Sequence, residues 1–293
     1  MLLFFRPDKL YFTVSVSSIA FYRDLLISTL YKTYSYLTSL DIYYHYHTKG
    51  IERFVSSSSR NLKLTNFFVK DVNIVLLSPL LNGDFNKVTG YKKILYLANG
   101  VENNYTKEEF NEYIFNKNFE NINILYLSNM IKSKGYFEVL KLASLNKNFH
   151  FHFAGGWQDK SNEKEFFEYI EKNSLKNIVT FHGFVNDEEK KKLFENTSVF
   201  IFPTRYENEA FPLSILEAFS YGLPVISTDE ASIPFIIDDK SGIVIESLSN
   251  LLNAFNDAID RFVNITSAQY CRKRYLDNFS LEQFEENLVR IFK

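Results

Sequence analysis

Short apolar runs alternate with amphipathic stretches along the whole chain. Runs with the length and the β-branched and aromatic content of buried strands lie at 10–16, 41–47, 73–78, 93–98, 122–128, 149–156, 177–183, 198–204, 224–229 and 242–246. The stretches between them, such as 20–34, have the spacing of helices. Strand–helix–strand repetition is typical of parallel sheets covered by helices on both faces, so the pattern predicts an α/β fold.

A polar stretch rich in Asn and Glu, 103–121, separates two sets of predicted strands. We interpret it as the link between two domains, 1–118 and 119–278. The remaining segment, 279–293, predicts a C-terminal helix capped by Ser280, which could pack back on the first domain. Two parallel sheets in tandem would face one another across a cleft, the usual place for a ligand in this architecture.

Composition excludes several classes of protein. The chain is 46% hydrophobic and 17% aromatic, which is enough for a sizeable core and unlike a disordered protein. Its single cysteine, Cys271, excludes an internal disulfide framework and a cysteine-based zinc site, and it fits a cytoplasmic location. The apolar runs are too short to span a bilayer. Nucleic acid is not expected as a partner, because no dense basic cluster is interleaved with aromatic residues.

Two glutamates, Glu209 and Glu217, lie in an otherwise largely apolar segment. The residues from Pro212 to Gly222 have helical spacing, with the proline suited to the first position and the glycine to the C-cap. The start of this helix would present backbone N–H groups and the positive end of its dipole, which together bind phosphate. A glutamate on either side of a bound diphosphate could accept hydrogen bonds from sugar hydroxyls. Taken alone, the pair is more often a helix-start acid and a surface glutamate.

The segment from Glu209 to Glu217 resembles the E-x7-E signature of family-4 glycosyltransferases of the GT-B fold. Three further segments continue the resemblance in the same order over 120–293. YLSNMIKSKGYFEVLKLA resembles the segment that carries the phosphate-binding lysine, FAGGW the glycine turn after a strand, and FHGFV a glycine loop. The resemblance implies two Rossmann-like domains facing a cleft and transfer from a nucleotide-diphospho-sugar, with UDP-sugars favoured. It also implies retention of anomeric configuration, and neither a metal ion nor another cofactor.

The resemblance also implies the site residues. The catalytic candidates are Glu209, His47 and Lys134, and the donor-binding candidates are Lys134, Asn129, Gly155, Gly156, Gly183, Arg205, Ala210, Phe211, Pro212, Leu213 and Glu217. Asn129 stands where the family has arginine, and Ala210 where it has glycine. His47 comes from HYHTKGIERF, which resembles a family loop of the acceptor domain; a partly buried histidine that caps a loop explains it as well, and His45 is the weaker candidate. Asp238 and Asp239 fit turn chemistry better than a metal pair.

The front of the chain departs from the family. Members begin with a strand and a glycine-rich loop, and no such loop precedes residue 83. The resemblance therefore implies an N-terminal domain that lacks both, either because the true start lies upstream or because the chain is a truncated relative. Aromatic and basic residues of this part could rest on the inner face of the plasma membrane, although we favour a core position for them: Phe21, Tyr22, Arg23, Tyr31 and Lys32.

Three functions follow as hypotheses. The leading one is a retaining glycosyltransferase that adds a hexose or N-acetylhexosamine to a growing, lipid-linked bacterial surface glycan, namely a capsule, O-antigen or exopolysaccharide. The second is a non-catalytic relative that binds a nucleotide-sugar or acts as a scaffold. The third, a nicotinamide-dependent oxidoreductase, is disfavoured because the glycine fingerprint and the following acid are missing.

Overall fold

The computed structural model of the chain describes residues 7–293. These residues form two compact units. The first unit runs to Asn99 and adds two later segments, Glu207–Phe211 and Phe284–Lys293. The second unit comprises Gly100–Tyr206 and Pro212–Gln283.

The first unit contains a four-stranded parallel sheet in the order β1-β2-β3-β4. Its strands are β1 (Lys9–Val14), β2 (Asp41–Tyr46), β3 (Asn73–Leu76) and β4 (Lys93–Tyr96). Its helices are α1 (Ser18–Leu37), α2 (Ile51–Ser56), α3 (Ser59–Val69) and a 3-10 helix, Pro79–Phe85. All four strands lie within the predicted apolar runs or extend them by one residue, because β-branched and aromatic residues bury well on a pleated surface.

The end of the chain completes the core of the first unit. Tyr43, Val75 and Leu97 are buried there, and Phe284 and Phe292 pack against them from the C-terminal segment. The rings of Tyr43 and Phe292 meet edge to face with their centroids 5.1 Å apart. Sequentially distant ends of the chain thus share one core.

Helix α1 has an apolar stripe on its outer side. Phe21 is buried, as a core position requires, whereas Ile19, Leu26, Leu30 and Leu37 are 70–87% exposed in the described part of the chain. Of the membrane-contact candidates, Tyr22 and Arg23 are also exposed, while Lys32 donates to the Phe67 carbonyl. None of the helices described is long and apolar enough to cross a membrane.

The second unit contains a six-stranded parallel sheet in the order β7-β6-β5-β8-β9-β10. Its strands are β5 (Asn123–Leu127), β6 (His150–Ala154), β7 (Val179–Gly183), β8 (Val199–Phe202), β9 (Val225–Thr228) and β10 (Gly242–Ile245). All six were predicted from the apolar runs. From β5 the chain adds β6 and β7 outward on one side. It then returns to add β8 on the other side of β5, followed outward by β9 and β10, so the winding reverses between β5 and β8.

Helices connect the strands of the second unit. They are α4 (Lys107–Asn116), α5 (Tyr136–Leu145), α6 (Lys160–Lys172), α7 (Asp187–Asn196), α8 (Leu213–Ser220), α9 (Ile233–Ile236), α10 (Leu251–Phe262), α11 (Ile265–Asn278) and α12 (Leu281–Ile291), with 3-10 helices at Lys132–Lys134 and Leu248–Asn250. Helix α12 begins in the second unit and continues into the first. The Ser280 side chain accepts from the Gln283 amide, so the predicted N-cap is confirmed.

The polar stretch interpreted as a link is largely a helix of the second unit. Helix α4 begins with a capping box in which Thr106 and Glu109 satisfy each other's backbone amides. Its apolar residues Phe110 and Ile114 are buried, and α4 contacts α11. The unit boundary therefore lies at Asn99, earlier than residue 118, because two apolar positions one turn apart anchor an otherwise polar segment.

Candidate functional site

The loops that leave β5 and β8 meet at the carboxyl edge of the second sheet, where its winding reverses. The Arg205 amide donates to the Ser133 carbonyl over 2.6 Å. Gly135 has φ +88°, and a Cβ there would lie 2.4 Å from the Pro203 carbonyl oxygen. Only glycine fits this approach, so Gly135 fixes the neighbouring Lys134 beside the end of β8. Ligands of open α/β sheets bind at this kind of position.

Lys134 places a cation at this edge. Its Nζ lies 5.2 Å from the ring centroid of Tyr206 and 5.8 Å from that of Phe202. The side chain is half-buried. Aromatic faces attract a cation, so the two rings hold the ammonium group of Lys134 at this edge of the sheet.

The glycine candidates are neighbours on the same edge. The Gly155 amide donates to the Gly183 carbonyl over 2.7 Å, and the Met130 amide donates to the Gly156 carbonyl over 2.9 Å. The structure thus brings together the loops after β5, β6 and β7. Asn129, in the first of these loops, is exposed.

Gly155 is held by a close backbone approach. Its φ is +146°, and a Cβ would lie 1.8 Å from the Ser128 carbonyl oxygen. A side chain would therefore push the loop after β6 away from the loop after β5. The absence of a side chain lets the backbone of both loops line the edge.

Helix α8 begins immediately after the loop that follows β8. Pro212 occupies the N-cap position, and no side chain caps the helix. The amides of Leu213 and Ser214 belong to the first turn, which has no partner within its own helix. Leu213 is 48% exposed, so this helix start is open to a ligand. Its N–H groups and positive dipole end suit an anion. At the far end, the C-cap is Tyr221, and Gly222, with φ +71°, lies one residue beyond the position predicted for it.

Glu217 lies on α8 and forms an ion pair with α7. The Nζ of Lys190 is 2.8 Å from Oε1 of Glu217 and 3.6 Å from Oδ1 of Asp187. Burial lowers the pKa of Lys190, but the hydrogen bond and charge of Glu217 outweigh it, so the pKa lies above its usual value. A pocket of about 590 Å3 adjoins the pair, with Glu102 and Tyr221 among its lining residues.

Arg205 is engaged by the protein itself. Its guanidinium pairs with the Asp229 carboxylate and donates to the Glu246 carbonyl, at the carboxyl ends of β9 and β10. Through these contacts Arg205 joins three loops at the carboxyl edge of the sheet, and its place among the donor-binding residues stays a prediction. The sequence could not show this, because both partners are distant along the chain.

Glu209, Ala210 and Phe211 lie in the segment that belongs to the first unit, and all three are buried. Arg53 of α2 anchors this segment. It pairs with the Glu207 carboxylate and donates to Oδ1 of Asn208 over 2.6 Å. The two glutamates of the E-x7-E pattern therefore fall in different units of the fold.

His47 follows β2 directly, at the carboxyl edge of the first sheet. Burial lowers its pKa below the usual value, although a hydrogen bond with Asn99 raises it. His45 is fully buried within β2 and bonds the Tyr11 hydroxyl through Nδ1. Burial, followed by the neighbouring His47, lowers the pKa of His45 to about 3. His47 is half-buried and can reach a ligand, whereas His45 belongs to the core.

The acidic pair after α9 makes a turn, as predicted. Asp238 accepts from the amide and hydroxyl of Ser241, and it pairs with Arg274 over 2.7 Å. Across residues 7–293, no group of three or more His, Cys, Asp or Glu side chains is arranged to hold a metal ion.

Sequence reasoning missed Lys190 and Gly135. Lys190 is one of three consecutive lysines in α7, and only the fold shows which of them meets Glu217. Gly135 carried a usable signal, because a glycine directly after the candidate lysine and before a helical stretch is typical of a left-handed backbone position.

Known proteins are similar to this chain in sequence. Residues 107–274 match the family described as Glycosyl transferases group 1. An uncharacterized 41.2 kDa protein in the cps region of Klebsiella pneumoniae is 29% identical over 187 residues, which are 59% of this chain and 47% of that protein. O-antigen chain mannosyltransferase B of Escherichia coli is 31% identical over 84 residues, 29% of this chain and 20% of the relative. The chain thus matches less than half the length of either relative.

Solved structures share the fold. Sucrose-phosphate synthase from Thermosynechococcus elongatus has a TM-score of 0.75 at 15% identity, covering 99% of this chain and 74% of that one. Anabaena HepE in complex with UDP and glucose has a TM-score of 0.71 at 17% identity, covering 97% and 77%. The predicted α/β fold with two Rossmann-like parallel-sheet domains of the GT-B type is confirmed. Because the family match covers more than half of the chain, the protein belongs to the glycosyl transferases group 1 family.

Proposed function

We propose that the protein is a retaining glycosyltransferase of family 4 that builds a bacterial surface glycan. It would transfer a hexose or N-acetylhexosamine from a nucleotide-diphospho-sugar, with UDP-sugars favoured, to a growing, lipid-linked capsule, O-antigen or exopolysaccharide. One observation carries the proposal: a lysine and an open helix start lie at the edge where the second sheet reverses its winding. The names of similar proteins, which include O-antigen chain mannosyltransferases and a colanic acid biosynthesis glycosyltransferase, support the class of product.

The donor would bind through its diphosphate. Lys134 supplies a cation, and the amides of Leu213 and Ser214 supply hydrogen bonds aligned with the dipole of α8. Glu217, one turn further along α8, would accept hydrogen bonds from the ribose hydroxyls. The glycine loops around Gly155 would let backbone approach the nucleotide closely.

In the reaction, the bond between the sugar C1 and the diphosphate oxygen would break, and the acceptor hydroxyl oxygen would bond to C1 and pass its proton to the departing diphosphate. Negative charge grows on the departing diphosphate, where Lys134 and the start of α8 would stabilise it more strongly than in the ground state. We propose that this pair does the work that a metal ion does in other transferases. Glu209 and His47 would contact the transferred sugar through its hydroxyls.

The apolar stripe of α1 supports peripheral contact with the inner face of the plasma membrane, where a lipid-linked acceptor would lie. Leucine side chains that are mostly exposed favour insertion at the acyl boundary of a bilayer. The chain should cosediment with anionic lipid vesicles, and a Leu26→Glu/Leu30→Glu variant should not. Equal sedimentation of the two would remove this part of the proposal.

Calorimetric titration with UDP, GDP, ADP and CMP tests the donor site. The wild-type chain should bind one of them, and Glu217→Ala should weaken that binding at least tenfold, since about 1.4 kcal/mol of hydrogen bonding to the ribose is lost. Glu168→Ala is the matched control, because Glu168 is an exposed helical glutamate that also pairs with a lysine.

Two outcomes would contradict the donor site: a folded chain that binds none of the nucleotides, or a Glu217→Ala variant that binds like wild type. The non-catalytic hypothesis is separated by incubating the chain with the matching nucleotide-sugar and a glycan acceptor. Release of nucleoside diphosphate with formation of a new glycoside is expected. Binding without release would favour the binding subunit instead.

A further inference from the structure

We infer that Lys190 is a positioning residue, which holds the Glu217 carboxylate in the orientation that receives the ribose of the nucleotide. The inference rests on the proposed function and adds a residue to its site. Lys190 touches Glu217 across the gap between α7 and α8, and its own role is to orient that carboxylate.

The contact leaves acceptor capacity on Glu217. Lys190 donates to Oε1 over 2.8 Å, and within residues 7–293 the Glu217 carboxylate accepts no other hydrogen bond. A carboxylate offers about four lone-pair sites on its two oxygens. Oε2 and part of Oε1 therefore remain for the two adjacent hydroxyls of a ribose. The Glu217 side chain is 25% exposed, so a ligand can reach it.

Both partners stand on rigid elements. Helix α7 starts with a capping box formed by Asn186 and Glu189, which fixes the turn that carries Lys190. Glu217 lies in the second turn of α8, whose neighbours Leu216 and Ala218 are fully buried. The ammonium group is therefore held at one place relative to the carboxylate. A glutamate fixed in this way has less side-chain entropy to lose when a ligand binds.

Stability alone does not explain the pair. The two side chains are 30% and 25% exposed, and ion pairs with this much solvent contribute little to folding. A second acid, Asp187, lies 3.6 Å from the same ammonium and is fully exposed, so Lys190 has an alternative partner on its own helix. Its shorter contact is with the less exposed carboxylate, beside the pocket.

A comparison of ribonucleotides with their 2′-deoxy forms tests the inference. UDP, GDP, ADP and CMP and the four 2′-deoxy counterparts are titrated into wild type, Lys190→Met, Lys190→Arg and Lys164→Met. Lys164 is the matched control, because it is a helical lysine in the same unit that pairs with Glu168. Thermal midpoints are recorded for each variant.

Wild type should prefer the ribonucleotide. Lys190→Met should lower the affinity for the ribonucleotide about fivefold, because the Glu217 side chain must then be ordered when the ligand binds. The affinity for the 2′-deoxy form should change little. Lys190→Arg should restore most of the preference, and Lys164→Met should behave like wild type. In a Glu217→Gln background, Lys190→Met should have no further effect, since the two side chains act as one unit.

Two results would overturn the inference and are distinguishable. In the first, wild type prefers ribonucleotides and Lys190→Met keeps or strengthens that preference. This result overturns the role of Lys190 and leaves the donor site standing. A wild-type chain that binds no nucleotide overturns the proposed function and this inference with it. A general loss of affinity for both sugar forms, with a lowered thermal midpoint, shows a structural role and also overturns it.

Discussion

Three glycines on the carboxyl edge of the second sheet should tolerate alanine very differently. At Gly156 the φ angle is ordinary and a Cβ meets nothing within 4 Å. At Gly183 the space is open but φ is +68°. At Gly155 φ is +146° and a Cβ would lie 1.8 Å from the Ser128 carbonyl oxygen. The series thus adds backbone strain first and steric overlap second.

The magnitudes follow from these differences. Gly156→Ala should change the free energy of unfolding by no more than about 0.5 kcal/mol, in the stabilising direction, because alanine restricts the unfolded chain. Gly183→Ala should cost about 1 kcal/mol, the price of a left-handed backbone for an L-residue. Gly155→Ala should cost about 3 kcal/mol, because the loop after β5 must also move away.

Urea unfolding followed by tryptophan fluorescence measures the series. Trp157 is the single tryptophan and lies next to Gly156 in the second unit, so its emission reports on this edge. With a slope of about 2 kcal/mol per M urea, Gly155→Ala should lower the midpoint by about 1.5 M and Gly183→Ala by about 0.5 M. Equal midpoints for the variants at Gly155 and Gly156 would refute the close approach of the two loops.

Further predictions concern a buried cation, a buried histidine and metal dependence. Arg272 donates to the Ser220 and Tyr105 carbonyls, so Arg272→Met should destabilise the chain by about 3 kcal/mol in urea titrations, while exposed Lys273→Met should not. Below pH 6.5, His45 is protonated in the unfolded chain. In the folded chain it stays neutral, because its pKa there is about 3. Unfolding free energy should therefore fall with decreasing pH by up to about 1.4 kcal/mol per unit, a slope that His45→Phe reduces; parallel profiles would contradict this. Transfer activity should survive EDTA, and its loss and recovery with Mg2+ would contradict the role given to Lys134.

The strands were predictable because local pattern decides them. Each run of β-branched and aromatic residues became a strand, whereas Pro212 and Gly222 each lie one residue outside the predicted ends of α8, at the N-cap and just beyond the C-cap. Helix α4 was not recognised, because most of its residues are polar and only Phe110 and Ile114 show its buried side. Their burial depends on α11, more than a hundred residues further along the chain.

The candidate site was predictable where a loop or turn carries the chemistry and unpredictable where a distant partner decides it. Lys134 and the glycines were found from short segments. Arg205 was a donor-binding candidate, and only the fold shows that its guanidinium pairs with Asp229 and donates to the Glu246 carbonyl at the end of β10. Glu217 was recognised, but Lys190 was not, because the helix that brings them together lies in a different part of the sequence.

A crystal structure of the chain with the nucleotide selected by titration tests the central claim most directly. The diphosphate should lie within hydrogen-bonding distance of Lys134 Nζ and of the Leu213 and Ser214 amides, with the ribose hydroxyls on Glu217. A nucleotide bound elsewhere would contradict the account. One such place is the histidine-lined pocket around His152, on the face of the sheet opposite α6.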